Sequence, residues 1–203
     1  MRESPYPLEH DLGMRWYASD TPGIGGRLRA SAEDFFVEEM SPLPGTEGPY
    51  LICLLTKREW ELQRAVREIA KALSISHRRI GWTGTKDKHA VTTQFISLYG
   101  VTEDDLSRVR LKDLEIVPVG RSREPLLLGA HEANRFTITI RDTTSPDLAS
   151  EVADVTAACG RGIPNYFGIQ RFGVIRPITH RVGEQILKGD FEAAVECYVG
   201  MAC

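Results

Sequence analysis

The segment from residue 62 to residue 73 constrains the fold most, because its apolar residues recur with the spacing of one helix face. Counted from the first of them, they stand at i, i+3, i+4, i+7, i+8 and i+11: Leu62, Ala65, Val66, Ile69, Ala70 and Leu73. A stripe with this period buries one side of an α-helix and leaves the other side in water. We therefore predict an amphipathic helix here.

Short segments with strand-like sequence surround this helix, at residues 27–30, 35–40, 50–56, 92–99, 115–119 and 135–141. A second helix is predicted to begin at Ser145-Pro146, with a hydroxyl cap and a proline in the first turn, and to end near Gly160. Shorter helices are predicted at 181–188 and 191–199. This order of elements predicts an α+β fold with a mixed, mostly antiparallel sheet and packed helices.

Composition and charge narrow the class of protein. The chain has 203 residues, of which 42% are hydrophobic and 26% charged, with a net charge of −3. No apolar run approaches the roughly 18–20 residues that span a bilayer, and no apolar signal segment follows Met1. We therefore expect a cytoplasmic protein with no membrane partner. No metal site is expected, because no cysteine pair has Cys-x-x-Cys spacing and no histidine cluster accompanies the cysteines: Cys53, Cys159, Cys197 and Cys203.

One carboxylate stands alone in a basic stretch. Between residues 69 and 102 the single acidic residue is Asp87, and the cations of the same stretch are Lys71, Arg78, Arg79, Lys86 and Lys88. Nearby positive charge favours the ionised form of a carboxylate. Asp87 also follows Gly84 in a predicted loop between a helix and a strand, where functional residues concentrate.

A second basic stretch, residues 155–183, contains no acidic residue. Arginines alternate there with the aromatic residues Tyr166, Phe167 and Phe172. Cations contact phosphates and aromatic faces stack on unpaired bases, so this combination is typical of RNA recognition.

Structural alternatives stay open at this point. A basic run is commonly only a solvated surface, and a lone aspartate in a loop is commonly a turn or cap residue. Phe136, in an alternating strand, has the pattern of a core residue. The Gly23-Ile24-Gly25-Gly26 segment precedes strand-like sequence rather than opening a helix, which favours a plain turn over a nucleotide-binding loop. The residues themselves indicate an RNA-binding α+β domain with one unusual aspartate.

Four segments, in order along the chain, resemble the motifs of the TruD family of transfer-RNA pseudouridine synthases. The signature loop of that family resembles residues 84–94, Gly-Thr-Lys-Asp-Lys-His-Ala-Val-Thr-Thr-Gln. Residues 28–39 resemble its N-terminal strand motif, residues 134–136 its Asn-x-Phe motif, and residues 165–173 its aromatic-glycine motif. Four ordered matches over about 150 residues are far more specific than any one alone.

The resemblance implies a role for each site residue. Asp87 is the expected catalytic residue, as nucleophile at the ribose C1′ or as base at C2′. Phe136 is expected to stack on the flipped uracil, Asn134 to hydrogen-bond in or near the same pocket, and Arg29 to pair with Asp87. Family members commonly carry lysine where this chain has Arg29, and arginine keeps the charge.

Lys86, Lys88 and His89, beside the aspartate, are predicted either to contact phosphate or only to line the loop. Neither alternative is favoured by the sequence.

The implied activity is the isomerisation of uridine to pseudouridine at position 13 of tRNA, by a monomer that needs no cofactor and no metal. Residues 1–26 are expected to be an irregular lead-in, residues 27–180 the first segment of a split catalytic domain, and residues 181–203 a helical segment leading to an inserted domain. The chain is accordingly expected to be part of a longer protein. Two other functions stay open: a non-catalytic RNA-binding module, and a hydrolase or transferase with an aspartate nucleophile that acts on a small nucleoside.

Overall fold

A computed structural model describes residues 2–42, 44–160, 162–163, 165, 167–173 and 175–200. Contacts divide the chain into two compact units, Gly25–Thr144 and the combination of Met1–Ile24 with Ser145–Cys203. The domain boundaries expected from the sequence differ from this division and stay a prediction. Among the described residues, no helix is long and apolar enough to cross a membrane.

The unit Gly25–Thr144 is built on a mixed sheet. Its strands are β1 (Phe35–Met40), β2 (Tyr50–Arg58), β3 (Ile80–Trp82), β4 (Val91–Tyr99), β5 (Leu114–Ser122) and β6 (Ala133–Ile138). Their order is β5-β2-β4-β1-β6, and β3 also pairs with β4. Only β1 and β4 are parallel, whereas the other pairs are antiparallel. The predicted α+β fold with a mostly antiparallel sheet is confirmed.

The part of the chain that the structure describes has five α-helices. One, α2 (Leu62–Ala72), belongs to the unit of the sheet, and the other unit contains α1 (Pro7–Asp11), α3 (Leu148–Cys159), α4 (Thr179–Lys188) and α5 (Phe191–Val199). The predicted amphipathic helix is α2. Its first turn is capped by the Glu61 carboxylate, which accepts from the backbone N–H groups of Gln63 at 2.8 Å and Arg64 at 2.7 Å. Capping of this kind satisfies N–H groups that the helix itself cannot pair.

The apolar stripe of α2 packs on one face of the sheet and forms the core of this unit. The contacting strand residues alternate along β2 and β4, and they are Leu51, Cys53, Leu55, Ile96 and Leu98. Each of these five residues has no exposed surface. Alternate residues of a strand share a face, so the core occupies the inward positions of both strands.

On the same face of the sheet, the inward-facing residues of β1, β2 and β4 change from apolar to polar towards one end. Lys57 follows Leu55 at the next inward position of β2 and lies opposite Thr92 of β4. Thr92 in turn lies opposite Val37 of β1, whose next inward residue is Glu39. Lys57 and Thr92 are completely buried and Glu39 is nearly so. Polar side chains in such positions require internal partners, and Lys57 and Glu39 have them, so this end of the sheet is built around a buried polar network. Among the described residues, the buried Thr92 hydroxyl has no hydrogen-bond partner.

In the second unit, two predictions differ from the structure. Residues 7–11, expected to be irregular, form the short helix α1. The helix predicted from Ser145-Pro146 begins at Leu148, and its cap is Asp147, whose carboxylate accepts from the Ser150 N–H at 3.1 Å. An ionised carboxylate is a stronger acceptor for an N-terminal amide than a hydroxyl is, which favours the later start.

Candidate active site

Asp87 lies in the loop of residues 83–90, which joins β3 to β4. The loop is held to the sheet by its main chain. The Gly84 carbonyl accepts from Gln94 Nε2 of β4 at 2.9 Å, and the Thr83 carbonyl accepts from the Gly129 N–H at 2.7 Å. At the far end the Ala90 carbonyl accepts from the Glu59 N–H at 3.1 Å, and Ala90 is fully buried. Both ends of the loop are therefore fixed on the buried polar network.

Arg29 and Asp87 form an ion pair at the surface of this unit. The Arg29 Nη2 atom lies 3.2 Å from Asp87 Oδ1, and the two side chains are 37% and 40% exposed. The pair is therefore in contact yet open to a ligand. Residues 27–30 were predicted to be extended, but Arg29 has φ +54°, in the left-handed region that a side chain rarely adopts. Such backbone strain is typical of functional sites, where the surrounding structure enforces it.

Two aromatic rings, those of Phe35 and Phe136, extend the site beyond Arg29. The Arg29 guanidinium carbon lies 3.9 Å from the centre of the Phe35 ring. Phe35 in turn meets Phe136 of β6 edge to face, with ring centres 6.1 Å apart. Phe136 is 54% exposed, which differs from the core position that its alternating strand indicated. A cation, an edge-to-face ring pair and an open ring face thus lie in sequence beside the carboxylate.

Asn134 lies two residues before Phe136, on the same face of β6. Its Nδ2 atom is 3.3 Å from His131 Nε2, and His131 Nδ1 is 3.3 Å from the Thr83 carbonyl oxygen. A carbonyl oxygen only accepts, so Nδ1 carries the proton and Nε2 accepts from the asparagine amide. His131 thereby ties Asn134 to the start of the aspartate loop.

Lys57 lies beneath the aspartate loop and has no exposed surface. Its ammonium group donates to the carbonyls of Asp87 and Trp60, both at 2.8 Å, and to that of Lys86 at 3.4 Å. Burial lowers the pKa of Lys57 to about 8, although the negative charges of Asp87 and Glu61 act in the opposite direction. Three carbonyl acceptors match the three N–H donors of the charged form.

Lys86 is buried beside Glu39 rather than presented to a ligand. The Lys86 Nζ atom lies 2.7 Å from Glu39 Oε2, and the side chains are 5% and 0% exposed. Glu39 Oε1 accepts from the Phe95 N–H at 3.3 Å. Of the three residues left undecided by the sequence, Lys86 anchors the loop to β1, whereas Lys88 and His89 are exposed and remain able to contact phosphate.

Asp34 fixes the segment that leads from Arg29 into β1. This buried carboxylate accepts from Arg141 Nε and Nη2 in a two-pronged arrangement, with distances of 2.7–2.9 Å. It also accepts from the Ser31 N–H at 3.0 Å. Hydrogen bonding from Arg141 lowers the pKa of Asp34 from 3.8 to about 2. The position of Arg29 therefore depends on a carboxylate that is ionised at neutral pH.

The second basic stretch lies in the other unit. Of its aromatic residues, Phe167 is 66% exposed, and the centre of its ring lies 5.2 Å from the guanidinium carbon of Arg171. Phe172 packs edge to face on His180. Tyr166 lies outside the described residues. An exposed ring beside an arginine supports the predicted type of surface.

Residue patterns pointed to Asp87, and the family resemblance supplied Arg29, Asn134 and Phe136, but neither identified Lys57, Glu39, His131 or Phe35. The sequence did contain a signal for Lys57 and Glu39. Lys57 and Glu39 occupy inward positions of strands whose preceding inward residues are apolar. A charged residue at such a position is rarely buried without a partner, so it indicates a polar site inside the fold.

The sequence model of the family described as tRNA pseudouridine synthase D (TruD) matches residues 11–203. The chain is therefore a member of the TruD family.

Relatives support this membership over most of the chain. A protein from Methanococcoides burtonii, named "Probable tRNA pseudouridine synthase D", is 48% identical over 95% of this chain and 45% of its own length. One of the same name from Pyrococcus abyssi is 43% identical over 91% of this chain and 45% of its own. A crystal structure from Methanosarcina mazei, of a protein assigned as tRNA pseudouridine synthase D (TruD), is 42% identical with a TM-score of 0.85. The matched region covers 94% of this chain and 45% of the Methanosarcina mazei chain. This chain therefore spans less than half the length of these relatives.

Proposed function

We propose that this chain carries the catalytic aspartate of a tRNA pseudouridine synthase that acts on the uridine at position 13. The observation that carries the proposal is the open Arg29–Asp87 ion pair, 3.2 Å long, on a loop fixed by buried hydrogen bonds. Family membership supplies the reaction class, and the pair supplies a charged carboxylate where a ligand can reach it.

The reaction rearranges one nucleoside. The bond from N1 of uracil to the ribose C1′ breaks, the base rotates, and a bond from C5 to C1′ forms. C5 loses a proton and N1 gains one, so no atom or electron is exchanged with a second substrate. This balance is why no redox cofactor is needed.

Asp87 begins the reaction by attacking C1′ or by removing a proton from C2′. Both steps require an ionised carboxylate with a free oxygen lone pair. The Arg29 guanidinium contacts one carboxylate oxygen, Oδ1, and orients the carboxylate. The second oxygen and the 40% exposed side chain remain available to the ribose.

Phe136 and Asn134 would hold the uracil after it leaves the base stack. Extrusion of a base costs a few kcal/mol, which new contacts must offset. The exposed face of Phe136 offers stacking, and stacking tolerates rotation of the base about its own normal. Asn134 stands on the same face of the same strand and offers a directional amide.

The test uses the complete natural polypeptide that contains this chain, incubated with a tRNA transcript, and chemical mapping of pseudouridine. Asp87→Asn is expected to reduce turnover at least 1,000-fold, because the amide is neither nucleophile nor base. Asp104→Asn, at an exposed carboxylate in the same unit, is the matched control and is expected to retain wild-type turnover. Wild-type turnover by Asp87→Asn would refute the assignment.

The same assay decides the remaining alternatives. A transcript with cytidine at position 13 is expected to yield no product, whereas product at another uridine would refute the proposed position. Binding of tRNA without product from the wild type would favour a non-catalytic RNA-binding module. Turnover of free uridine would favour a nucleoside enzyme.

The oligomeric state needs a separate measurement. Size-exclusion chromatography with light scattering is expected to give a monomer.

A further inference from the structure

Lys57 differs from every other lysine among the described residues in its surroundings. It has no exposed surface, although it carries a charge at neutral pH. Transfer of an ammonium group from water to a protein interior is unfavourable unless its donors are satisfied. The three donors of Lys57 are all taken by carbonyl groups, so its role depends on these hydrogen bonds rather than on apolar packing.

The hydrogen-bond acceptors of Lys57 connect it to the loop that carries Asp87. Two of its hydrogen bonds go to consecutive carbonyls of the aspartate loop, those of Lys86 and Asp87. The third goes to the Trp60 carbonyl, in the turn between β2 and α2. The ammonium group thus connects the main chain of Asp87 itself to the rigid junction of a strand and the main core helix.

Among the described residues, no other side chain donates a hydrogen bond to the Asp87 carbonyl. The Arg29 contact is to the carboxylate and is open to solvent, so it restrains the tip of the side chain but not the backbone. The Lys86 side chain restrains the preceding residue through Glu39. Among the described residues, Lys57 is consequently the side chain that donates to the main chain of Asp87 itself.

We propose that Lys57 is a positioning residue for catalysis: its charged hydrogen bonds to the carbonyls of Lys86 and Asp87 tie the aspartate loop to the Trp60 carbonyl, between β2 and α2. This inference rests on the proposed role of Asp87. A displacement of about 1 Å in a reacting group can cost about 100-fold in rate. Removal of the ammonium group should therefore act on turnover and leave RNA affinity, which depends on surface cations, nearly unchanged.

The principal variant is Lys57→Met in the complete natural polypeptide, because methionine fills the same unbranched volume without charge or donors. We expect kcat to fall at least 100-fold while KM for tRNA stays within threefold. The melting temperature should fall, because the carbonyls of Trp60, Lys86 and Asp87 lose their buried donor, and relief of the desolvated charge offsets only part of that loss. Lys71→Met, at an exposed lysine of α2, is the control and should retain wild-type kcat. Wild-type kcat in Lys57→Met would overturn the proposal.

A second readout does not depend on activity. Hydrogen exchange of the amides in residues 84–90 should become at least tenfold faster in Lys57→Met, with exchange in β2 and β4 unchanged. If the wild type forms no pseudouridine, the proposed function fails, and this measurement still decides whether Lys57 orders the loop. Unchanged exchange in that loop would overturn the inference.

A third readout uses the charge of Lys57. The groups whose charges act on it are Asp87, Glu61 and Lys86, and its pKa is about 8. The ratio of wild-type to Lys57→Met turnover should therefore decline above pH 8, because the neutral amine has one donor fewer. A ratio constant from pH 7 to pH 10 would contradict the role of the charged form. Should Lys57→Met fail to fold, Lys57→Leu, which is likewise neutral and without donors, replaces it under the same criteria.

Discussion

The buried ion pair between Lys86 and Glu39 gives the sharpest test of how the aspartate loop is held. The two charged atoms are 2.7 Å apart, and the side chains are 5% and 0% exposed. Replacement of Lys86 by methionine removes the cation and leaves the Glu39 carboxylate in the interior. Its remaining donors, the Phe95 N–H at 3.3 Å and the Ser41 hydroxyl at 3.4 Å, are long and uncharged.

The expected loss of stability follows from this geometry. Removal of one member of a buried pair typically costs about 3–5 kcal/mol, because the partner stays desolvated and unpaired. Since about 1.4 kcal/mol corresponds to a tenfold change in equilibrium constant, the folded fraction relative to the unfolded falls roughly 100- to 4,000-fold. With a urea dependence of about 2 kcal/mol per molar, the midpoint should fall by about 1.5–2.5 M.

The assay is urea unfolding, followed by tryptophan fluorescence and circular dichroism. The double variant Lys86→Met/Glu39→Leu should be more stable than Lys86→Met alone, because it removes the stranded carboxylate. Arg123→Met is the control: Arg123 lies 3.0 Å from Glu47, but the side chains are 81% and 76% exposed. That change should cost less than about 1 kcal/mol. A loss below about 1 kcal/mol for Lys86→Met would refute the reasoning.

Three further predictions concern the site and its support. Phe136→Ala should lower kcat/KM for tRNA about 5- to 100-fold, from the roughly 1–3 kcal/mol of base stacking, while Phe136→Tyr retains it. Arg29→Lys should keep most of the turnover because the positive charge beside Asp87 remains, whereas Arg29→Met should lose at least tenfold. The pKa of Asp34 is depressed from 3.8 to about 2 by Arg141, so its contribution to stability is complete above pH 4 and is lost as pH falls towards 2. Acid unfolding of Asp34→Asn should lack this part of the pH dependence; an unchanged profile would show that the ion pair does not contribute.

The periodicity and composition of the sequence predicted most elements of the fold. The stripe that begins at Leu62 predicted α2, and the strand-like segments predicted β1, β2, β4, β5 and β6 within a few residues, whereas residues 27–30, also predicted to be extended, belong to none of these strands. Both patterns are local, since they depend on residues a few positions apart. β3, with three residues, was missed because so short a segment has no measurable period.

The burial of charged residues could not be predicted in the same way. Lys86 was equally consistent with a phosphate contact and with a residue lining the loop, and its burial depends on Glu39, 47 residues away in the sequence. Lys57 and Asp87 are 30 residues apart, and their contact depends on the register that places β2 beside β4. Strand register follows from the packing of whole faces, which no single segment encodes.

By itself, the sequence determined the alternation of strands and helices, the isolation of Asp87 among cations, and the family whose motifs surround it. These properties are carried by neighbouring residues and by their order. The Arg29–Asp87 pair was expected from the family motifs, but only the tertiary structure decided that Phe136 is exposed and that Lys57 lies beneath the loop. The reason is physical: a contact between distant residues exists only when the sheet has brought their strands together, and the free energy of burial is shared by the whole core.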